Sequence, residues 1–262
     1  AMMWFIDPSA GFRRELVDIW FDGQPVASYE IESVEARLGA GRVLGRWGEL
    51  RFTAHTTDYR ALPKVGNPAF PSDQARDGGL RLGFRVDTVD QIAFPRTGAE
   101  VFAAYHRSLD ELGAEEPGER AAAAVDYAFS FKRNTFRPHL EYGENLDPAE
   151  SFFSAYFMGG LFRLSGLGQR ELFGDKIALA RLVAYRRLFH LEAAGLKVKF
   201  YAGLSLEAGN AYFDDESVSW GSMRKGGSVF IGGDTFIGPV IFAYGRTEGN
   251  RDRFYFGIGD MF

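Results

Sequence analysis

The stretch Phe254-Tyr255-Phe256-Gly257-Ile258-Gly259-Asp260-Met261-Phe262 decides how this chain is read. Phe254, Phe256 and Ile258 alternate with Tyr255, Gly257 and Gly259, and Phe262 stays in phase. Period two is the repeat of an extended strand, whose successive side chains point to opposite faces. Such a strand fits a soluble sheet with its apolar face inward. It fits a membrane barrel equally well, with the apolar face toward lipid and the other toward a wet lumen. The rest of the chain has to separate the two.

The same alternation recurs along the chain. Leu80, Leu82, Phe84 and Val86 alternate with Arg81, Gly83, Arg85 and Asp87. Val125, Tyr127, Phe129 and Phe131 alternate with Ala124, Asp126 and Ser130. Val198, Phe200, Ala202, Leu204 and Leu206 alternate with Lys199, Tyr201, Gly203, Ser205 and Glu207. About twelve such segments span roughly 12–22, 27–41, 49–60, 79–92, 99–112, 121–133, 135–146, 177–189, 196–212, 227–236, 239–247 and 252–262. Most run to roughly 10–16 residues. Soluble strands average about 5–6 residues, whereas tilted membrane-spanning strands need about 9–11. Between Tyr29 and Ala40 the phase slips: Tyr29 and Ile31 are odd, while Val34, Ala36 and Leu38 are even. A β-bulge near Ser33 explains the slip. Glu100–Leu112 also carries apolar residues at helical spacing, but both of its neighbours alternate and a strand fits the series.

Connections are of two kinds. Arg42–Gly48, Phe94–Gly98 and Ile237–Pro239 are short, whereas Ala61–Asp77, Gly113–Glu119 and Asp147–Lys176 are long. Short periplasmic turns and long outer loops are the asymmetry of outer-membrane barrels. Twelve strands, an even number, put both ends of the sheet on one side. These features predict an all-β fold, a transmembrane antiparallel barrel forming a single domain over residues 1–262. The competing expectation is a soluble, lipid- or sugar-binding β-sandwich.

Composition agrees with the barrel without requiring it. Aromatic residues make up 15% of the 262 positions, and 32 are Gly. No stretch approaches the roughly 20 apolar residues of a spanning helix, but in a barrel only alternate residues meet lipid. The absence of cysteine excludes disulfides and thiolate chemistry. A net charge of −5 argues against a nucleic-acid partner. Ala1-Met2-Met3-Trp4 lacks the basic and apolar regions of a signal peptide, so for an exported protein a mature form or a portion of a longer chain is expected.

Catalytic signatures are missing. The nearest approach to Gly-x-Ser-x-Gly is Gly203-Leu204-Ser205-Leu206-Glu207, which lacks the closing Gly of a nucleophile elbow. His55, His106, His139 and His190 show no metal-ligand spacing and read as surface or lumen residues. No catalytic residue, metal or cofactor is therefore assigned. Arg51, Arg81, Arg85, Asp87, Lys197, Lys199 and Glu207 are expected to line the lumen.

The most informative region is Phe152–Arg187. It runs through the aromatic Phe152-Phe153-Ser154-Ala155-Tyr156-Phe157, then Gly159-Gly160, then Leu164-Ser165-Gly166-Leu167, then Gly174-Asp175 and a strand opening Ile177-Ala178-Leu179-Ala180. This resembles the long sixth loop of the barrel superfamily that includes the outer-membrane assembly insertase and two-partner-secretion transporters. Leu206-Glu207-Ala208-Gly209-Asn210 resembles its Phe-x-Asp-x-Gly-Asn strand, and Gly238-Pro239-Val240-Ile241-Phe242-Ala243-Tyr244 its Gly-Pro-Leu-x-Phe-x-Tyr strand. Phe254–Phe262 resembles its terminal strand. The likeness is strong over about 150–262 and weaker before that.

The resemblance implies a loop over 147–176 inserted in the lumen, with Gly159, Gly160, Arg163, Ser165 and Gly166 as its motif. Glu207 and Gly209 then belong to the strand that receives it. Where the superfamily has Val-Arg-Gly, Ser165 replaces the tip arginine; Arg163 becomes the substitute, with Glu207 as its partner. The resemblance also implies that Phe254, Phe256, Ile258 and Phe262 form the signal read by the barrel-assembly machinery. The Leu-Ser-Gly form, the run from Gly174 to Arg181 and the segment Asp22–Leu50 look most like the C-terminal barrel of patatin-like phospholipase autotransporters, a type V secretion system of Gram-negative bacteria. For this chain that implies an anchor and translocator in the bacterial outer membrane, not itself catalytic, for an N-terminal patatin lipase on the same polypeptide, with a periplasmic transport-associated domain between them. Homo-oligomers stay open. An insertase or transporter acting on other proteins is the alternative. The superfamily barrel has sixteen strands, so either four N-terminal strands lie outside this sequence or this branch closes with fewer.

Overall fold

A computed structural model describes residues 3–67, 71–147, 154–193 and 196–259, with backbone only at Glu192, Ala193, Leu196 and Lys197. The alternating segments become long antiparallel strands. Twelve of them form one sheet in chain order: β1 (Met3–Phe21), β2 (Gln24–Leu44), β3 (Gly48–Val65), β4 (Asp73–Asp87), β5 (Gly98–Ser108), β6 (Glu119–Phe131), β7 (Asn134–Asp147), β10 (Lys176–Ala193), β11 (Leu196–Tyr212), β12 (Arg224–Thr235), β13 (Gly238–Thr247) and β14 (Arg251–Ile258). Between β7 and β10 lie two short strands, β8 (Tyr156–Met158) and β9 (Leu172–Gly174), which pair only with each other. Among the described residues there is no α-helix.

The turns show why neighbouring strands pair. Asp22 (φ 46°) and Gly23 (φ 75°) both take left-handed backbone between β1 and β2, as a two-residue hairpin turn matched to strand twist requires. β1 begins and β14 finishes at the same end of the sheet, here called proximal. Proximal connections after β2, β6 and β12 are two or three residues long, but the one after β4 spans 88–97. The opposite, distal end carries the long connections, including 109–118, 148–175 and 213–223.

The sheet curls until its first and last strands meet. At the start of β14, Arg251 donates to the Gly23 carbonyl at 3.0 Å, and the Arg253 guanidinium lies 5.2 Å from the Trp20 ring centroid at the end of β1. No ladder joins β1 to β14 among the described residues. Phe262 lies outside them.

Burial is inverted relative to a soluble protein. Phe254 and Trp4 are 80% and 74% exposed on the outside, whereas Arg137 and Glu207 are 1% and 4% exposed inside. Charged residues are almost never fully buried unless paired. Here they are paired across the interior: Asp126 accepts from both Arg137 (2.8 Å) and Arg181 (2.9 Å). A single sheet around a polar interior is not a sandwich of two sheets over an apolar core.

Three expectations are corrected. No bulge lies at Ser33: the β2 ladders run unbroken through it, and the register shifts sit at Ile19/Trp20 and Ser28/Tyr29. The change of phase is a change of environment. Tyr29 and Ile31 face inward onto Val17, Ala61 and Tyr59, while outside Arg14 pairs with Glu32 at 2.5 Å. β1–β3 thus extend distally past the apolar belt. Second, β5 stops at Ser108, and Asp110–Leu112 is a 3-10 turn ended by Gly113 at φ 95°. Third, β1, β3 and β4 are longer at their distal or N-terminal ends than the alternation marks, and β4 ends at Asp87 instead of reaching residue 92.

Candidate functional site: the plugged lumen

The lumen is filled on one side by the segment between β7 and β10. Its short β8–β9 ladder pairs Tyr156 with Gly174 and Met158 with Leu172, narrowing the loop to a tip at 159–171. Backbone there is unusual: Gly159, Gly160, Phe162, Leu164 and Gly166 all have positive φ. Glycine is required at Gly166, where φ is 116° and a Cβ would lie 2.6 Å from the Thr247 nitrogen of β13. The tip therefore touches the wall with its main chain.

Ser165 is fully buried and forms the centre of the contact. Its N–H and Oγ–H both donate to the Glu207 carboxylate at 2.6 Å, one to each oxygen. Its Oγ accepts from the Phe162 N–H at 2.9 Å, and its carbonyl accepts from Thr247 Oγ1 at 2.6 Å. Ser205 also donates to Glu207. At the next two residues, Tyr255 Oη accepts from the Gly166 N–H (2.8 Å) and donates to the Leu167 carbonyl (2.7 Å). Charge-assisted bonds of this length, out of water, are the stronger class of hydrogen bond.

Arg163 does not reach Glu207. It forms a bidentate pair with Glu141 of β7, at 2.6 and 3.1 Å. The expected substitution of Arg163 for the tip arginine is therefore corrected: the serine at the tip position itself meets the acidic strand residue. A hydroxyl and an N–H reach where a guanidinium is not needed, because the positive-φ backbone brings the chain against β11. Gly159 and Gly160 open the tip, and Gly209 on β11 leaves room for Met158, whose Sδ would lie 3.1 Å from an added Cβ. Lower down, Glu171 accepts from Arg251 at 2.7 Å, and Arg170 pairs with Glu15 at 3.3 Å. One loop thus ties β1, β7, β11, β13 and β14 together.

Its apolar side chains complete the plug. Met158, Leu164 and Leu167 are buried against Ile177 and Leu179. Phe162 meets Phe230 edge-on at 5.3 Å.

A second plug enters from the proximal end. The 88–97 connection turns inward at Phe94, which has φ 52° and no exposed surface. Its ring stacks on Tyr201 at 4.1 Å and meets Tyr185 at 5.7 Å, and the Tyr185 hydroxyl donates to the Pro95 carbonyl. Phe94 and Phe162, from opposite ends, belong to one apolar cluster. Reading of the sequence missed Phe94. The available signal was the loss of alternation after Asp87, followed by Phe94-Pro95.

Among the described residues this filling lies mainly on the β10–β14 side of the lumen. On the β3–β7 side lies a cavity of about 710 Å³ that includes Arg51, Arg81, Arg85 and Glu207's neighbour in the wall, Arg181. Phe254, Phe256 and Ile258 all point outward, with Phe256 4.7 Å from Phe242 and Phe254 5.0 Å from Tyr244.

No family model and no curated protein matches the chain. Among solved structures it is similar to BamA from Haemophilus ducreyi lacking POTRA domains 1-3, with a TM-score of 0.69 over 97% of this chain at 11% identity. The fold is that of a BamA barrel. The chain spans 60% of the length of that BamA chain, so the likeness concerns the fold and not the remainder of it. Among the described residues no helix is long and apolar enough to cross a membrane.

Proposed function

We propose that this chain is an outer-membrane β-barrel that anchors and translocates a patatin-like lipase carried on the same polypeptide, and is not itself catalytic. The observation that carries the membrane reading is the inverted surface: aromatic and aliphatic side chains outward, paired charges inward. An apolar belt of this extent in water would be an aggregation hazard; in lipid it is the solvated face. Residues 1–262 then form one barrel domain, with the proximal end periplasmic and the distal loops outside the cell. Lipid leaves no water for an unpaired edge, so β14 closes on β1 directly or through residues beyond the described ones. The strand bearing Phe254, Phe256, Ile258 and Phe262 is the part the assembly machinery would read.

The patatin branch is supported by the Ser165–Glu207 contact, because a serine at the loop tip is the feature that the resemblance ties to those autotransporters. Two measurements test the reading. The native protein should leave an outer-membrane fraction only with detergent; release by salt or carbonate alone would refute the barrel. The same reading frame should encode a Gly-x-Ser-x-Gly lipase upstream; its absence would refute the passenger but not the barrel. An insertase or secretion transporter acting on other proteins is the second reading, favoured by the likeness to BamA in fold. Cross-linking of unfolded client proteins to the barrel in cells would support it.

A further inference from the structure

We propose that His55, Asp77 and His106 form a Zn²⁺ site in the lumen, at the neck between its outer and inner cavities. The three residues come from β3, β4 and β5 and have no sequence spacing that reveals them. The sheet register sets them together on one inward face, with His55 opposite Gly79 and Arg81 opposite His106. Gly79 is the gap that lets the rings converge, since a Cβ there would lie 3.0 Å from His106 Nε2. The two imidazole centroids are 4.9 Å apart.

The distances favour a metal over direct hydrogen bonding. His55 Nε2 and His106 Nε2 face the same Asp77 oxygen at 3.6 and 3.7 Å. Both are too long for a hydrogen bond. Both separations lie within a few tenths of an ångström of the edge of a zinc tetrahedron, about 3.3 Å for bonds of about 2.0–2.1 Å; the three ligand atoms all lie within 4.8 Å of one another, so the two rings would draw closer on binding. His106 is 4% exposed, and its Nε2 has no hydrogen-bond partner while aimed at Asp77. A buried nitrogen in that state costs stability unless something binds it. The carboxylate is already oriented, because Ser108 donates to its other oxygen at 2.9 Å. Two imidazoles and one carboxylate suit Zn²⁺ far better than Mg²⁺ or Ca²⁺, and leave the fourth position for water.

One residue competes. Arg120 donates to His106 Nδ1 at 3.1 Å and to Asp77 at 3.3 Å, and so acts as the resident cation. Binding requires the neutral His106 ring to move its proton from Nε2 to Nδ1 and Arg120 to swing away. The adjoining cavity of about 380 Å³ offers it Glu116 and Glu119. His106 and Arg120 line this cavity and the larger one, so the metal would clamp three strands where the two cavities join.

The test is metal binding by the untagged protein in detergent micelles, dialysed against ZnCl₂ and titrated calorimetrically. The expected result is one Zn²⁺ per chain. His55→Gln, Asp77→Asn and His106→Gln should each weaken binding at least about tenfold, the loss expected even for an outer partner of a metal ligand. Arg120→Gln should tighten it about tenfold by removing the competing charge. No uptake by the wild-type protein, or unchanged affinity in His106→Gln and Asp77→Asn, overturns the site. Circular dichroism reports whether each variant folds. If the ligand variants do not, Arg120→Gln decides alone: tighter binding sustains the site, and unchanged or weaker binding overturns it.

Discussion

Two loops enter this lumen, from opposite ends, and they are held by different balances of polar and apolar contact. The distal loop is held by polar bonds: Ser165 on Glu207, Arg163 on Glu141, Glu171 on Arg251. The proximal loop is held chiefly by the Phe94 ring packed on Tyr185 and Tyr201, with hydrogen bonds from the Tyr185 hydroxyl and Gln91 to the Pro95 and Phe94 carbonyls. The distal loop is long, so it needs directional bonds to select one descent among many. The proximal loop spans only 88–97 and its ends are already tied to β4 and β5, so one well-packed ring suffices to place it. Phe162 from one loop and Phe94 from the other belong to the same apolar cluster, which couples the two plugs.

That contrast can be broken or sharpened by experiment. Phe94→Ala should have the largest effect, about 3–5 kcal/mol of lost stability, because a buried ring leaves a cavity. A fall in the urea midpoint with unchanged slope is the expected reading. Glu207→Ala should lose about 3 kcal/mol by leaving the buried donors of Ser165 without an acceptor. Because the chain has no cysteine, a single Cys at Leu167 can report on the loop by thiol labelling. It should become reactive in Glu207→Ala and stay protected in Phe94→Ala. Equal labelling in both would mean that the two plugs release together and that the contrast is false. Phe94→Ala combined with Phe162→Ala should depart from additivity by about 0.5–1 kcal/mol, as residues that share one apolar cluster and its cavity do. Arg163→Ala should cost least, about 1 kcal/mol or less, since its side chain is 36% exposed and its pair with Glu141 is partly screened.

The inward and outward faces were legible along most of the chain. Leu80–Asp87 and Ala123–Phe131 keep the alternation that the sheet shows, because a strand buried on one side only has its side chains sorted by solvent. The exception at Tyr29 and Ile31 is instructive. There the outside becomes aqueous and the inside apolar, so the pattern inverts between Ile31 and Val34 with no break in the ladders, and a bulge near Ser33 was the wrong explanation. The loop motif was legible as a motif, through Gly159, Gly160 and Ser165. Its partners were not: Arg163 was expected on Glu207, and nothing along the sequence points to Glu141 of β7, which it meets instead.

By itself, the sequence determined twelve long strands, the order of pairing between neighbours, the long loop after the seventh strand and the apolar face along most of each strand. These are local properties, written in period two and in turn residues. The tertiary structure alone decided that Ser165 docks on Glu207, that Phe94 closes the lumen from the other end, and that His55, Asp77 and His106 converge. Each of these depends on how far the sheet curls and on the register across several strands, and no repeat within a single strand records either quantity. Phe254, Phe256 and Ile258 belong to the first kind, and the loop that Tyr255 grips from the opposite face of the same strand belongs to the second.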